Sequence, residues 1–124
     1  MTDQEAFDKV CAHLAQQGTR SMVGASPRYR DDQGRACAIG GLMPDEEYDP
    51  DMEDGAHNAV GYMVKHFDPP SLRGLNVTLL RDLQFSHDHS LYSTPELLRQ
   101  RLKHVAFTHK MDAMKVNLIT HWTH

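Results

Sequence analysis

Seven carboxylates and no base stand between residues 45 and 54, in the run DEEYDPDMED, the densest concentration of one chemistry in the chain. Alternating acids at Asp45, Glu47, Asp49, Asp51 and Glu53 offer the hard oxygen donors that calcium prefers. A calcium loop of the EF-hand kind needs glycine at its sixth position and glutamate at its twelfth. Counted from Asp45 those places hold Pro50 and Ala56, and counted from Asp49 they hold Asp54 and Val60. The pattern fails as a cation loop and predicts a solvated acidic face. The chain carries a formal charge of −4, and outside this run 13 basic residues face 10 acidic ones, a remainder of +3. So uneven a distribution predicts a surface for a basic partner. Its binding residues are Asp45, Glu46, Glu47, Tyr48, Asp49, Asp51 and Glu53, with Tyr48 and Met52 supplying contact area.

A second grouping, His87-Asp88-His89, could hold a divalent metal with His57 ahead of it and Asp112 behind. Imidazole and carboxylate together suit a metal that activates water for attack on phosphorus. The order of histidine, His-Asp pair and distant aspartate is similar to that of the ligands in HD-type phosphohydrolases, which are also helical. That resemblance implies a metal-dependent phosphohydrolase as one alternative. The plainer alternative is a helix end, where histidine meets the negative pole of the dipole and aspartate begins a turn.

Arg28, Arg30 and Arg35 flank a turn, and guanidinium forks suit phosphates, so a further alternative is a binder that sequesters a small nucleotide signal. A basic stretch holds Arg99, Arg101, Lys103, His104, His109 and Lys110. The acidic overall balance and the lack of an aromatic stacking series make nucleic acid an unexpected partner and a solvated helix face the expected one. The same stretch could match the acidic run within one molecule or in a homodimer. Ser93 has no base and acid at a recognisable spacing, and there is no GxSxG, Walker loop or dinucleotide fingerprint. The expectation is a non-enzymatic protein without a cofactor, a divalent metal entering only with the hydrolase alternative.

At 124 residues and 40% apolar, the chain supplies one modest core and predicts a single domain over 1–124. No window approaches the ~18–20 apolar residues of a membrane span. The opening MTDQEAFDKV lacks a basic region followed by an apolar run, so a cytoplasmic location is expected. Cys11 and Cys37 cannot build a disulfide framework and are expected to be free and buried. Nine histidines would move the formal charge from −4 to +5 on complete protonation, so association should depend on pH.

These groups must be positioned by a small set of elements. Thr2 with Glu5 forms a capping box, and Ala6, Phe7, Val10, Cys11 and Leu14 recur at helical spacing until Gly18. Residues 19–27 read as irregular. Arg28, Tyr29 and Arg30, the turn DDQG and the apolar ACAI predict a β-hairpin over about 28–40. Gly40 and Gly41 end its second strand or permit close backbone approach. Pro44 before three acids is a helix start, broken again at Asp49-Pro50. Ala59, Tyr62, Met63 and Phe67 suggest a helix weakened by Gly61. Leu75, Leu79, Leu80 and Leu83 form a stripe behind the cap Asn76, and Ser93-Thr94-Pro95-Glu96 opens a helix carrying Leu97, Leu98, Leu102, Val105 and Ala106. The β-branched tail 114–124 favours an edge strand over a further helical turn.

The block CAIGGLMPDEEYDPDME, the helix before it and the later LQFSHDH resemble a widespread family of small accessory proteins of tailed phages and prophages. The matching positions are Cys37, Gly40, Leu42, Pro44, Asp45, Glu46 and Tyr48, then Leu83, Gln84, His87 and Asp88. The family pattern often places a second cysteine where this chain has Gly41, so a cysteine pair is not essential to it. The resemblance covers most of the chain and implies a context, not a reaction: a bacterial cytoplasm and a host or defence protein as the partner. The residues taken together predict an α+β domain, mainly helical, with about four helices around one small hairpin.

Overall fold

The computed structural model describes residues 1–55, 59–90 and 93–123. The first helix, α1 (Asp3–Gln17), begins at a complete capping box between Thr2 and Glu5 and stops at Gly18, which takes φ +70°. One face of it, Ala6, Phe7, Val10, Cys11 and Leu14, is wholly buried. Three further helices follow: α2 (Val60–Phe67), α3 (Val77–Asp88) and α4 (Pro95–Thr108). Asn76 caps α3 through the Leu79 amide, Thr94 caps α4 through the Leu97 amide, and Pro95 occupies the first turn. Asp68 ends α2 in the left-handed region, just before Pro69. The small α+β architecture, mainly helical with one antiparallel hairpin, is as the sequence predicts.

The hairpin, however, lies elsewhere. Strands β1 (Met22–Val23) and β2 (Ser26–Pro27) pair antiparallel around a turn in which Gly24 takes φ +60°, inside the stretch whose composition reads as irregular. Across 28–40 there is only a single bridge, Arg30 to Ala36. The reason is competition for amides. Glu53 accepts the Tyr29 and Arg30 N–H groups, and Asp31 accepts those of Met22, Gln33 and Arg35, so few are left for a ladder.

Gly40 and Gly41 fall in a 3-10 turn, Gly40–Leu42, rather than at a strand end. A Cβ on Gly40 would overlap the Tyr29 carbonyl oxygen, so close backbone approach is the reason for glycine there. The acidic stretch forms two more 3-10 turns, Asp45–Glu47 and Pro50–Glu53, and not an α-helix, because Pro50 interrupts it within a turn and a half.

One hydrophobic cluster gathers the buried faces of all four helices. α3 packs between α2 and α4, while α1 rests on the 40–42 turn and on a 3-10 turn at Met114–Leu118. The tail is therefore a tight helical turn, not an edge strand. Beyond it Ile119 and Trp122 enter the core, Trp122 Nε1 donates to the Ser90 carbonyl at 3.2 Å, and Thr123 N donates to Gly18 O at 2.8 Å. Leu97 departs from its expected core position and is 39% exposed, whereas Leu98 is fully buried. Cys11 and Cys37 are both free and buried. Among the described residues no helix is long and apolar enough to cross a membrane.

Gly40→Ala should lower stability by about 2 kcal/mol or more, because either the Tyr29 carbonyl or the 40–42 turn must move. Urea denaturation midpoints check this, and an unchanged midpoint would show that the two backbone segments are not in contact.

Candidate functional site

Polar side chains distant in sequence meet where the C-terminal end of α3 faces the 18–40 segment. Gln84, His87 and Asp88 occupy one edge of α3 because they recur at three- and four-residue spacing. The His87 ring is completely buried, with Nε2 accepting from the Ser21 amide at 3.0 Å and Nδ1 donating to Asp88 Oδ1 at 2.8 Å. Those two bonds define a neutral imidazole with its proton on Nδ1. Gln84 joins the same carboxylate through Nε2 at 2.8 Å, and its Oε1 accepts from the Ile39 amide at 3.2 Å. Arg20, itself nearly buried, donates through Nη1 to the Asp88 carbonyl at 2.7 Å, while its Nε is buried without a partner.

Beside this cluster lies a recess of about 100 Å³ lined by Pro27, Arg28, Tyr29, Glu53, Gln84 and Asp88. Glu53 turns its carboxylate inward, leaving it 6% exposed. Its Oε1 accepts from the Tyr29 amide and lies 3.5 Å from Arg28 Nε, while Oε2 accepts from the Arg30 amide and from the Tyr48 hydroxyl at 2.7 Å. Arg28 Nε makes an ion pair there without an aligned hydrogen bond.

Burial pushes the His87 imidazole below its ordinary range despite the opposing pull of Asp88. Burial likewise pushes the Cys37 thiol up to about 12, although the Gly40 amide, which donates to Sγ at 3.2 Å, works the other way. Cys11 is raised to about 12 by burial and by nearby Asp8. Neither thiol is a nucleophile in the folded chain.

The acidic residues separate into two sets. Glu53 points inward, Glu47 accepts from Ser71 N at 2.9 Å and Ser71 Oγ at 2.7 Å, and Asp49 caps the Asp51 amide. Asp45, Glu46, Asp51 and Asp54 are exposed, and Asp45, at 93%, is held by Arg30 Nη1 at 2.6 Å. Met52 is in the core and Tyr48 is half-buried beneath the Arg30 guanidinium, so neither offers the contact area expected of it.

Arg28, Arg30 and Arg35, which lie outside the hairpin, are each engaged within the chain. Arg28 pairs with Glu53, Arg35 pairs with Asp31 at 2.6 Å, and Arg30 donates to Asp45 and to the Gly40 and Met43 carbonyls. Burial opposes ionisation of Asp31, but the amides and guanidinium around it prevail and hold its carboxyl below the usual range.

Of the metal alternative, His57 lies outside the described residues. His87 has both ring nitrogens engaged, and Asp112 sits at the start of α1, where its backbone N–H and carbonyl bond to Gln4. Among the described residues no three His, Cys, Asp or Glu side chains are grouped as a metal would need. Along the basic helix Arg99 donates to the Ile119 carbonyl at 2.5 Å, Arg101 to the His89 carbonyl and Ser93 Oγ, and His109 pairs with Asp82 at 2.8 Å.

Sequence reasoning missed Arg20 and Ser21, which carry no motif, and the inward turn of Glu53, which alternation along the acidic run does not signal. The recess is several-fold smaller than a usual ligand cavity of ~300–1,000 Å³. Its polar groups are oriented by backbone amides more than toward open space. The arrangement can tie two segments of chain together; it offers no uncommitted base beside a nucleophile.

Comparison of the chain with protein-family models, with curated proteins and with solved structures finds no match in any of the three.

The His87 ring is neutral when folded and gains a proton more readily when unfolded. As pH falls through about 6.5 the unfolded chain takes up that proton first, so stability is full above this value and declines below it. Urea midpoints at pH 7.5 and 5.5 should show the decline, and His87→Gln should make it shallower with the other histidines unchanged. An equal slope in the variant would remove His87 as the cause. Ellman's reagent should find both thiols unreactive in the native protein and two reactive thiols in urea; rapid native labelling of Cys37 would contradict its burial.

Proposed function

We propose that the protein is a non-enzymatic binding module that uses the acidic 45–54 surface to engage a basic surface on a bacterial protein. The observation that carries this reading is the division of labour among the acids. Inward Glu53, Glu47 bound to Ser71, and Asp49 hold two 3-10 turns in place, while Asp45, Glu46, Asp51 and Asp54 face solvent from that fixed frame. Charges on a frame already ordered cost little entropy on binding, and they speed and select an encounter more than they strengthen it. Exposed Pro44 and Pro50, between the acids, supply apolar contact in place of Tyr48 and Met52. The resemblance of the 37–48 block to small phage accessory proteins supports a bacterial cytoplasm as the setting and a host or defence protein as the partner.

The test is affinity capture from bacterial lysate at low and high salt with the wild type and a Glu46→Lys variant. Glu47 is left intact because its reversal would also release Ser71. Capture of a stoichiometric partner should fall with added salt and drop at least ~5-fold in the variant, whose thermal melt should match the wild type. A partner retained equally by the variant at low salt would refute the acidic surface as the binding face.

A further inference from the structure

Helices α2, α3 and α4 present a surface that the core does not use. Tyr62 on α2 is 48% exposed and Phe85 on α3 is 59% exposed. Each ring lies nearly parallel to an imidazole one helical turn on: Tyr62 with His66 at 5.5 Å and 17°, Phe85 with His89 at 3.8 Å and 22°. Arg81 joins the two helices. A Cβ on Gly61 would overlap its guanidinium, so the arginine crosses α2 at the residue before Tyr62. Arg81, Phe85 and His89 line one groove, and Phe85 also borders a second, of about 450 Å³, with Leu97, Arg101 and His104 on α4. Lys65 stands with Tyr62 and His66 in a third recess. The acids of this face are engaged internally, Asp82 by His109 and Asp88 by His87 and Gln84.

We propose that this aromatic and cationic face binds single-stranded nucleic acid, with bases stacking on Phe85 and Tyr62 and phosphates meeting Arg81 and Lys65. Flat rings presented beside guanidinium and ammonium groups match the two parts of a nucleotide, its π-face and its anionic linkage. An acidic peptide would satisfy the cations but would leave the paired rings without a complementary surface. A duplex hides its base faces inside the stack, so the rings gain nothing from it. The stacking is indifferent to base identity, and the face selects strandedness over sequence. This inference does not depend on the acidic 45–54 surface.

Fluorescence anisotropy with labelled dT12 and rU12 at ~50 mM salt tests it. Binding should appear below ~100 µM protein, and the logarithm of the affinity should fall with the logarithm of salt at a slope of ~−1.4, as about two phosphate contacts imply. Phe85→Ala should weaken binding about tenfold or more while leaving the melting curve in place, since most of the ring lies outside the core. Arg81→Ala should weaken binding and flatten the salt slope by ~0.7. Tyr62→Ala provides a second stacking variant should Phe85→Ala fold poorly. No binding at ~100 µM, equal binding of a duplex, or insensitivity to both ring variants would overturn the proposal. Displacement by a polyglutamate peptide as effective as by unlabelled dT12 would overturn it in favour of an acidic protein partner.

Discussion

A long irregular segment must satisfy its backbone amides without a ladder or a helix to do it, and this constraint organises the molecule. Between Gly18 and Gly55 only four residues lie in paired strands, and the rest is isolated bridges, 3-10 turns and irregular chain. Side chains therefore take up the amides: His87 that of Ser21, Gln84 that of Ile39, Glu53 those of Tyr29 and Arg30, Gln17 that of Ala36, and Asp31 three more. A buried amide left without a partner costs on the order of 1–3 kcal/mol, so these polar residues are as structural as the leucines beside them.

This constraint accounts for where the residue types that suggest chemistry are engaged. A histidine beside an aspartate, an acid beside an arginine and a cysteine near both are the ingredients of a hydrolytic site. Their lone pairs and protons are directed instead at the main chain and at one another. α3 bears most of the load, because one face carries Leu79, Leu80 and Leu83 into the core while its adjoining edge carries Gln84, His87 and Asp88 to the irregular segment. Cys37 and Gly40 in one block and Gln84, His87 and Asp88 in the other are the two sides of this junction, and a structural requirement links them.

With the polar cluster turned inward, what remains for other molecules is surface. The acidic turns 45–54 and the ring-bearing face of α2 and α3 differ in kind. One presents charge on a frame that its own carboxylates hold together, and the other presents planar groups braced by arginine and imidazole. The solvent-facing side chains of both lie outside the core, so those side chains can change without loss of the fold.

Helix positions were legible in the sequence because capping is local: Thr2 with Glu5, Gly18, Asn76 and Thr94-Pro95 act through bonds spanning three or four residues. Most of the core was legible for the same reason, through helical spacing, with Leu97 lost because one step along α4 decides between core and solvent. The position of the hairpin was not, since the amides of 28–36 are claimed by Glu53, more than fifteen residues away, and by Asp31, and no local pattern records that claim. Which acids face inward, what holds His87, and how Arg81 comes to lie against Gly61 of α2 were decided only by tertiary structure. Each depends on a contact between segments whose separation in sequence carries no periodic signal.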